Sequence, residues 1–370
     1  MGDLWMFFPG HDIALADGRA GVTLPPAAVR LQRAGELLPL WMGAPVDRVA
    51  CDGVNARWLD GIRRDFGIEM LPWDHRPDLS PRPWGWSKAV RRVFENLGYQ
   101  ADMLPSDAEL DRIRALSHRR SALRLNAELQ CRLDFEIWPT GIEVFSADEL
   151  HSLLIAHPDS VIKAPWSSSG RGITFTDSAH IDQAVQRAAG TIRRQGSVTV
   201  EHRARRVTDF AMLFDYHLGA TEYCGLSMFS TSDRGQYCGN IVDCQSELES
   251  LLSQQTDITQ VNAVREAIPA VLDSIFTDGY HGPVGIDMMV VESEDGRRML
   301  HAAVEINLRY TMGFVALALA RFVDGRSRFA IEAGDHTAGC VARVSNGLLQ
   351  SGRLALNPPG GDFTFVLERQ

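Results

Sequence analysis

Lysine is nearly absent from this sequence: Lys88 and Lys163 are the only two among 37 basic residues, and the rest are scattered arginines. With a formal net charge of −10, the chain lacks the basic face on which nonspecific nucleic-acid binding depends. The stretch HRARR at 202–206 is the local exception and reads as a solvated strand end. The six cysteines, Cys51, Cys131, Cys224, Cys238, Cys244 and Cys340, form no C-x-x-C pair and no framework spacing. That excludes a disulfide scaffold and points to a reducing compartment. No segment approaches the roughly 18 uninterrupted apolar residues of a membrane span. MGDLWMFFPGHD has neither the basic flank nor the apolar length of a secretory signal. A soluble, cytoplasmic chain with no nucleic-acid and no membrane partner is the expectation.

Several chemistries are missing as well. G-x-S-x-G, H-E-x-x-H, G-x-G-x-x-G and the Walker pattern G-x-x-x-x-G-K-[ST] do not occur, and the eleven histidines show no paired ligand spacing. An α/β-hydrolase, a zincin, a Rossmann dehydrogenase and a P-loop NTPase are all disfavoured.

What is present is an ordinary globular composition, 45% hydrophobic and 23% charged, over 370 residues. That length predicts two or three domains. A strand-like LWMFF is stopped by Pro9-Gly10, and VDRVACD at 46–52 precedes a helical pattern at 55–67. This alternation predicts an open α/β domain. The Pro- and Trp-rich stretch 72–87 reads as irregular, and Ser87 is placed to cap the helix that follows. Two S-x-x-E signals, Ser106 with Glu109 and Ser146 with Glu149, predict helix starts. Apolar strands dominate 208–243, a long helix covers 258–278, and GFVALALARFV reads as a core helix.

Two stretches carry the chemistry. In VIKAPWSSSGRGI, 161–173, a strand with one lysine runs into a Ser/Gly-rich loop and then into ITFTD, which predicts a hairpin. Small residues let backbone N–H groups converge on an anion, and a buried ammonium at Lys163 also requires one. In GIDMMVVESEDGRRMLHAAVEINLR, 285–309, Glu305 and Asn307 lie two apart on a strand and share a face. With Asp287 on the neighbouring strand they make an oxygen donor set suited to a hard cation. Their meeting demands an odd-length loop, predicted to centre on Gly296 with Asp287 directly opposite Glu305.

Taken in order, these pieces resemble the ATP-grasp superfamily, over roughly 110–315. The resemblance implies an N-terminal open α/β domain followed by a two-lobed unit with antiparallel sheets. The expected division is 1–105, 106–202 (linker helices and nucleotide lid) and 203–370 (metal-site domain). It implies that Lys163 contacts ATP phosphates and that Ser167, Ser168, Ser169, Gly170, Arg171 and Gly172 form the loop closing over them. Glu201 would sit beside adenine with backbone contacts from His202 and Arg203, and Asp209 near the ribose. Asp287, Glu305 and Asn307 would bind Mg²⁺, with Mn²⁺ as the alternative, and Arg309 would lie near the transferred phosphate or the acceptor. Two departures stand out. SHRRSALRL offers Arg119 or Arg120 where the family has a second phosphate-contacting lysine, and EINLR has Leu308 where proline is usual.

The resemblance further implies an ATP-dependent ligase that activates a small-molecule carboxylate as an acyl phosphate and joins it to an amine. A non-catalytic ATP-binding protein, motivated by the missing lysine, and an ATP-dependent small-molecule kinase are the alternatives. A homodimer is the base-rate expectation.

Overall fold

The apolar run at the amino terminus forms β1 (Asp3–Met6), which leads into α1 (His11–Asp17) and α2 (Pro26–Gly35). The expected alternation continues with β2 (Arg48–Val49), α3 (Ala56–Phe66), β3 (Leu71–Pro72), β4 (Ser80–Pro83) and α4 (Lys88–Asn96). The strands make a parallel sheet in the order β3-β2-β1-β4. Leu4, Trp5 and Met6 are all buried, as central strands of parallel sheets are. Strand order reverses between β1 and β4, so a crevice opens at their carboxyl ends, where open α/β sheets bind ligands. Ser87 caps α4 by accepting from the Val90 N–H at 3.3 Å. This computed structural model describes residues 2–75, 78–167, 172–233, 235–277 and 279–369. Ser168, Ser169, Gly170 and Arg171, expected in the phosphate loop, lie outside the described residues.

α5 (Asp107–Leu116) begins with the expected capping box, Ser106 Oγ accepting from Glu109 N at 3.3 Å and Glu109 from Ser106 N at 2.7 Å. α5 and α6 (Arg120–Arg132) bury Leu110, Ile113, Leu125 and Leu129 in the core of the large sheet described below. A second, antiparallel sheet of order β5-β8-β6-β7 follows. Its elements are β5 (Ile142–Val144), α7 (Ala147–Ala156), β6 (Ser160–Lys163), β7 (Ile173–Phe175), α8 (Ile181–Gln195) and β8 (Val198–His202). The predicted hairpin is present, with Lys163 opposite Ile173. Val144, Ile162, Val198 and Val200 pack under α7 and α8. By the two-residue period of strands, Lys163, Thr199 and Glu201 share the opposite face.

The remaining strands form one sheet in the order β13-β12-β9-β10-β11-β14-β17-β16-β15. It comprises β9 (Arg205–His217), β10 (Ala220–Thr231), β11 (Tyr237–Val242), α9 (Gln245–Ser253) and α10 (Ile258–Phe276) on its flank, β12 (Gly282–Glu292) and β13 (Arg298–Asn307). The chain then continues through α11 (Met312–Leu319), β14 (Ser327–Ala333), β15 (Ala342–Ser345), β16 (Leu348–Ala355) and β17 (Phe363–Arg369). Phe210, Met212, Phe214, Ile286 and Met288 face α10. Asp209, Ala211, Asp287, Met289, His301, Glu305 and Asn307 alternate with these and line the other face. Val315, Leu319, Phe329 and Phe365 share a core with Leu4, Phe7 and Trp41, so the end of the chain packs on the amino-terminal sheet. No helix among the described residues is long and apolar enough to cross a membrane.

The register of β12 and β13 corrects one expectation. Asp287 lies opposite Glu305, but Glu292 pairs with Arg298, so the odd loop spans 293–297 and centres on Asp295 rather than Gly296. Asp295 is the lock: its carboxylate accepts from Ser293 Oγ at 2.5 Å and from Arg297 Nε at 2.6 Å. Met289 still pairs with His301 in that register, and a bulge then places two extra β13 residues between the Met289 and Asp287 pairings. An even insertion preserves the face, so Asp287 and Glu305 point the same way.

Candidate functional site

The small sheet turns Lys163, Thr199 and Glu201 toward the large one, and β12 and β13 turn Asp287, His301, Glu305 and Asn307 toward them. Lys163 and Glu201 are each 6% exposed at the side chain and pair at 2.5 Å. The carboxylate oxygen that takes this bond, Oε2, is also 3.1 Å from His301 Nε2. Burial alone would raise Glu201, but the Lys163 ammonium and the His301 hydrogen bond outweigh it and hold the carboxyl well below its usual range. Burial lowers the Lys163 pKa, opposed by the Glu201 carboxylate, and the Lys163–Glu201–His301 contact spans the two sheets.

Asp287 is in the opposite condition. Burial, reinforced by the Glu305 carboxylate, pushes its carboxyl up to about 7. Asn307 donates from Nδ2 to Asp287 Oδ2 at 3.2 Å. Two carboxylates and an amide converge here; Glu305 already meets a cation of the chain, but Asp287 has only the Asn307 amide as hydrogen-bond partner, and an oxygen set of this kind suits a hard cation. Among the described residues no group of three His, Cys, Asp or Glu side chains is placed to hold a metal; the third group of this set is the asparagine.

Arg119, 3% exposed at the side chain, reaches Glu305 Oε1 at 3.1 Å. Its other N–H groups go to Ala164 O at 3.2 Å, Val304 O at 3.2 Å and Ser167 Oγ at 3.4 Å. Arg119 therefore clamps the base of the hairpin to β13. Trp166 tightens the clamp, donating from Nε1 to Arg114 O at 3.0 Å beneath the Arg114 guanidinium. Arg120 instead pairs with Glu143 at 2.8 Å with 55% of its side chain exposed. His202 stacks on Trp138, Arg203 lies over Phe175, and Asp209 accepts from Thr231 Oγ1 at 2.7 Å.

At the open end of β13, Arg309 makes a two-point ion pair with Asp12, Nη2 to Oδ2 at 2.9 Å and Nε to Oδ1 at 3.2 Å. Asp12 comes from α1, at the carboxyl end of β1, so the crevice of the parallel sheet joins the cleft. Gly85, just past β4, makes room: a β-carbon there would lie 2.7 Å from Arg309 Cβ and 2.8 Å from His11 Cε1. His11 is 1% exposed, and burial lowers its pKa from 6.5 to about 4. It is therefore neutral in the folded chain, and stability falls as pH drops below 6.5, because the unfolded chain takes a proton that the folded chain refuses. Between pH 7 and 5 this loss amounts to about 1–2 kcal/mol. Urea unfolding at the two pH values should show a smaller drop for His11→Gln than for the unaltered chain.

Sheet order, register and the meeting of three sheets around one cleft can be set beside solved structures. No protein-family model matches the chain, and no curated protein does. Biotin carboxylase of Campylobacter jejuni, solved as a β,γ-ATP complex, is similar over 99% of this chain and 87% of its own, at 11% identity and TM-score 0.50. The chain has the ATP-grasp fold. N5-carboxyaminoimidazole synthetase of Staphylococcus aureus complexed with ADP aligns over 100% and 93% of the two chains, at 9% identity and TM-score 0.48. Phosphoribosylamine–glycine ligase of Thermotoga maritima aligns over 99% and 91%, at 12% identity and TM-score 0.47.

Within the cleft between the sheets the structure brings together Lys163, Glu201, Arg119, Asp287, Glu305 and Asn307, with Arg309 at its end and Ser167 and Gly172 flanking the loop. Arg120 and Arg203 stand on its outer side. Sequence reasoning missed Asp12, Thr199 and His301. His301 carried a signal, since it shares strand parity with Glu305 and Asn307; Asp12 carried none, lying 297 positions from Arg309.

Proposed function

We propose that the chain is an ATP-dependent ligase that activates a carboxylate as an acyl phosphate and joins it to an amine, with release of ADP and phosphate. The observation that carries this reading is the meeting of a buried lysine on the lid sheet with an acidic oxygen set on the large sheet, across one cleft. Bringing a carboxylate to a polyphosphate sets anion against anion, and the cleft supplies compensation from both sides. Magnesium, or manganese, held by Asp287, Glu305 and Asn307 would neutralise phosphate charge from the large-sheet side.

The chain's own residues do the rest. Lys163 spends one N–H on Glu201 and has two left for phosphate oxygens. Arg309, fixed by Asp12, presents a guanidinium where the parallel-sheet crevice meets the cleft, the place for the carboxylate or its acceptor. The carboxylate oxygen attacks the terminal phosphorus as ADP leaves; the amine nitrogen then attacks the acyl carbon, loses a proton and expels phosphate. No covalent bond to the protein is required. The hairpin base, clamped by Arg119 and Trp166, carries the loop that would keep water from the acyl phosphate.

A screen of carboxylate and amine pairs for ADP release, with mass spectrometry of the products, tests this reading. The expected result is ADP formation that requires both partners, with a product lighter than their sum by one water. A stable phosphorylated product with no amine requirement indicates a kinase, and nucleotide binding without turnover across the screen indicates a binding protein.

A further inference from the structure

His301 stands on β13 four positions before Glu305, with 2% of its surface exposed. Nε2 lies 3.1 Å from Glu201 Oε2, the oxygen that also accepts from Lys163. Because a carboxylate accepts, the tautomer that fits carries its proton on Nε2. Nδ1 is buried without a partner, an arrangement that costs stability. Among the described residues the ring's one polar contact is with Glu201.

We propose that His301 is a positioning residue for the phosphate-binding lysine: by holding Glu201 from the opposite sheet it fixes where the Lys163 ammonium points. The inference rests on the cleft being the nucleotide site. A carboxylate held by lysine alone turns about its own side-chain bonds and takes the ammonium with it. A second donor on the same oxygen, delivered from β13, removes that freedom. The two remaining N–H groups of Lys163 then keep one direction, in the field of the Glu305 carboxylate. Thr199 Oγ1, buried without a partner on the same face as Lys163 and Glu201, does not compete for Glu201.

Two isosteres separate this role from packing. Glutamine places its amide nitrogen near the position of Nε2, whereas asparagine places it near Nδ1 and cannot reach Glu201. Calorimetric titration of the full chain with magnesium and either ADP or adenosine provides the readout. His301→Gln should bind ADP within about threefold of the unaltered chain, and His301→Asn about tenfold more weakly, with adenosine binding held within about threefold in both. Equal ADP affinity for the two variants overturns the inference, and so does a parallel loss for ADP and adenosine, which marks general damage to the cleft. If the unaltered chain binds no ADP, the nucleotide reading itself fails and this inference falls with it.

Discussion

Lys163→Met should destabilise the chain by about 3–5 kcal/mol, because it leaves Glu201 buried and short of its main partner, and under the proposed function it should also abolish ATP binding. The cost does not measure the worth of the lysine bond. It is the desolvation of an orphaned carboxylate, which His301 alone does not offset. The second substitution makes the point testable: Lys163→Met with Glu201→Gln removes both charges and should recover most of the lost stability in a urea titration. Under the proposed function nucleotide affinity should not return with it, because the cation assigned to the phosphates is still missing. Recovery of both would mean that Lys163 serves the fold and nothing else.

Glu305→Gln should behave in the opposite way. Arg119 keeps its bonds to Ala164 O, Val304 O and Ser167 Oγ, and a glutamine oxygen still accepts from it. Stability should therefore change by no more than about 1 kcal/mol. Under the proposed reaction, ADP release should fall by about 10²–10³-fold, the loss expected when a metal worth several kcal/mol of charge stabilisation loses a ligand. Steady-state assays over a range of magnesium concentrations decide the matter. Activity that remains near the original level at low magnesium would remove Glu305 from the metal set.

Local features of the fold were legible because local physics determines them. The capping box at Ser106, the N-cap at Ser146, the hairpin around the Ser/Gly loop and the shared face of Glu305 and Asn307 follow from hydrogen-bond donors, turn residues and the two-residue strand period. The turn after β12 was misplaced for a local reason too. Gly296 has φ +80 and belongs to the turn, but the Asp295 carboxylate organises it, and a bulge that no pattern announces then restores the pairing of Asp287 with Glu305. The cleft was legible only in its acidic and basic ends. Whether a charged residue stands free or meets a partner depends on pairs such as Glu201 with His301, 100 positions apart, and Asp12 with Arg309, 297 apart. Arg119 shows the consequence: in sequence it or Arg120 stands where a second phosphate lysine is expected, whereas in the fold Arg119 bonds to the hairpin base and β13.

The scarcity of lysine now has a physical reading. Arginine suits the exposed pairs and backbone clamps, being planar and always charged. A compact ammonium with three freely directed N–H groups is what a site shared between a carboxylate and a phosphate would require, and under the proposed function Lys163 would fill that place.

Equilibrium titration of the full chain with a non-hydrolysable ATP analogue, with and without magnesium, tests the central claim most directly. The account predicts saturable one-to-one binding that weakens by at least about tenfold when magnesium is chelated, and that is absent from the folded Lys163→Met, Glu201→Gln chain. Binding that ignores both magnesium and Lys163, or no saturable binding in the presence of magnesium, would contradict it.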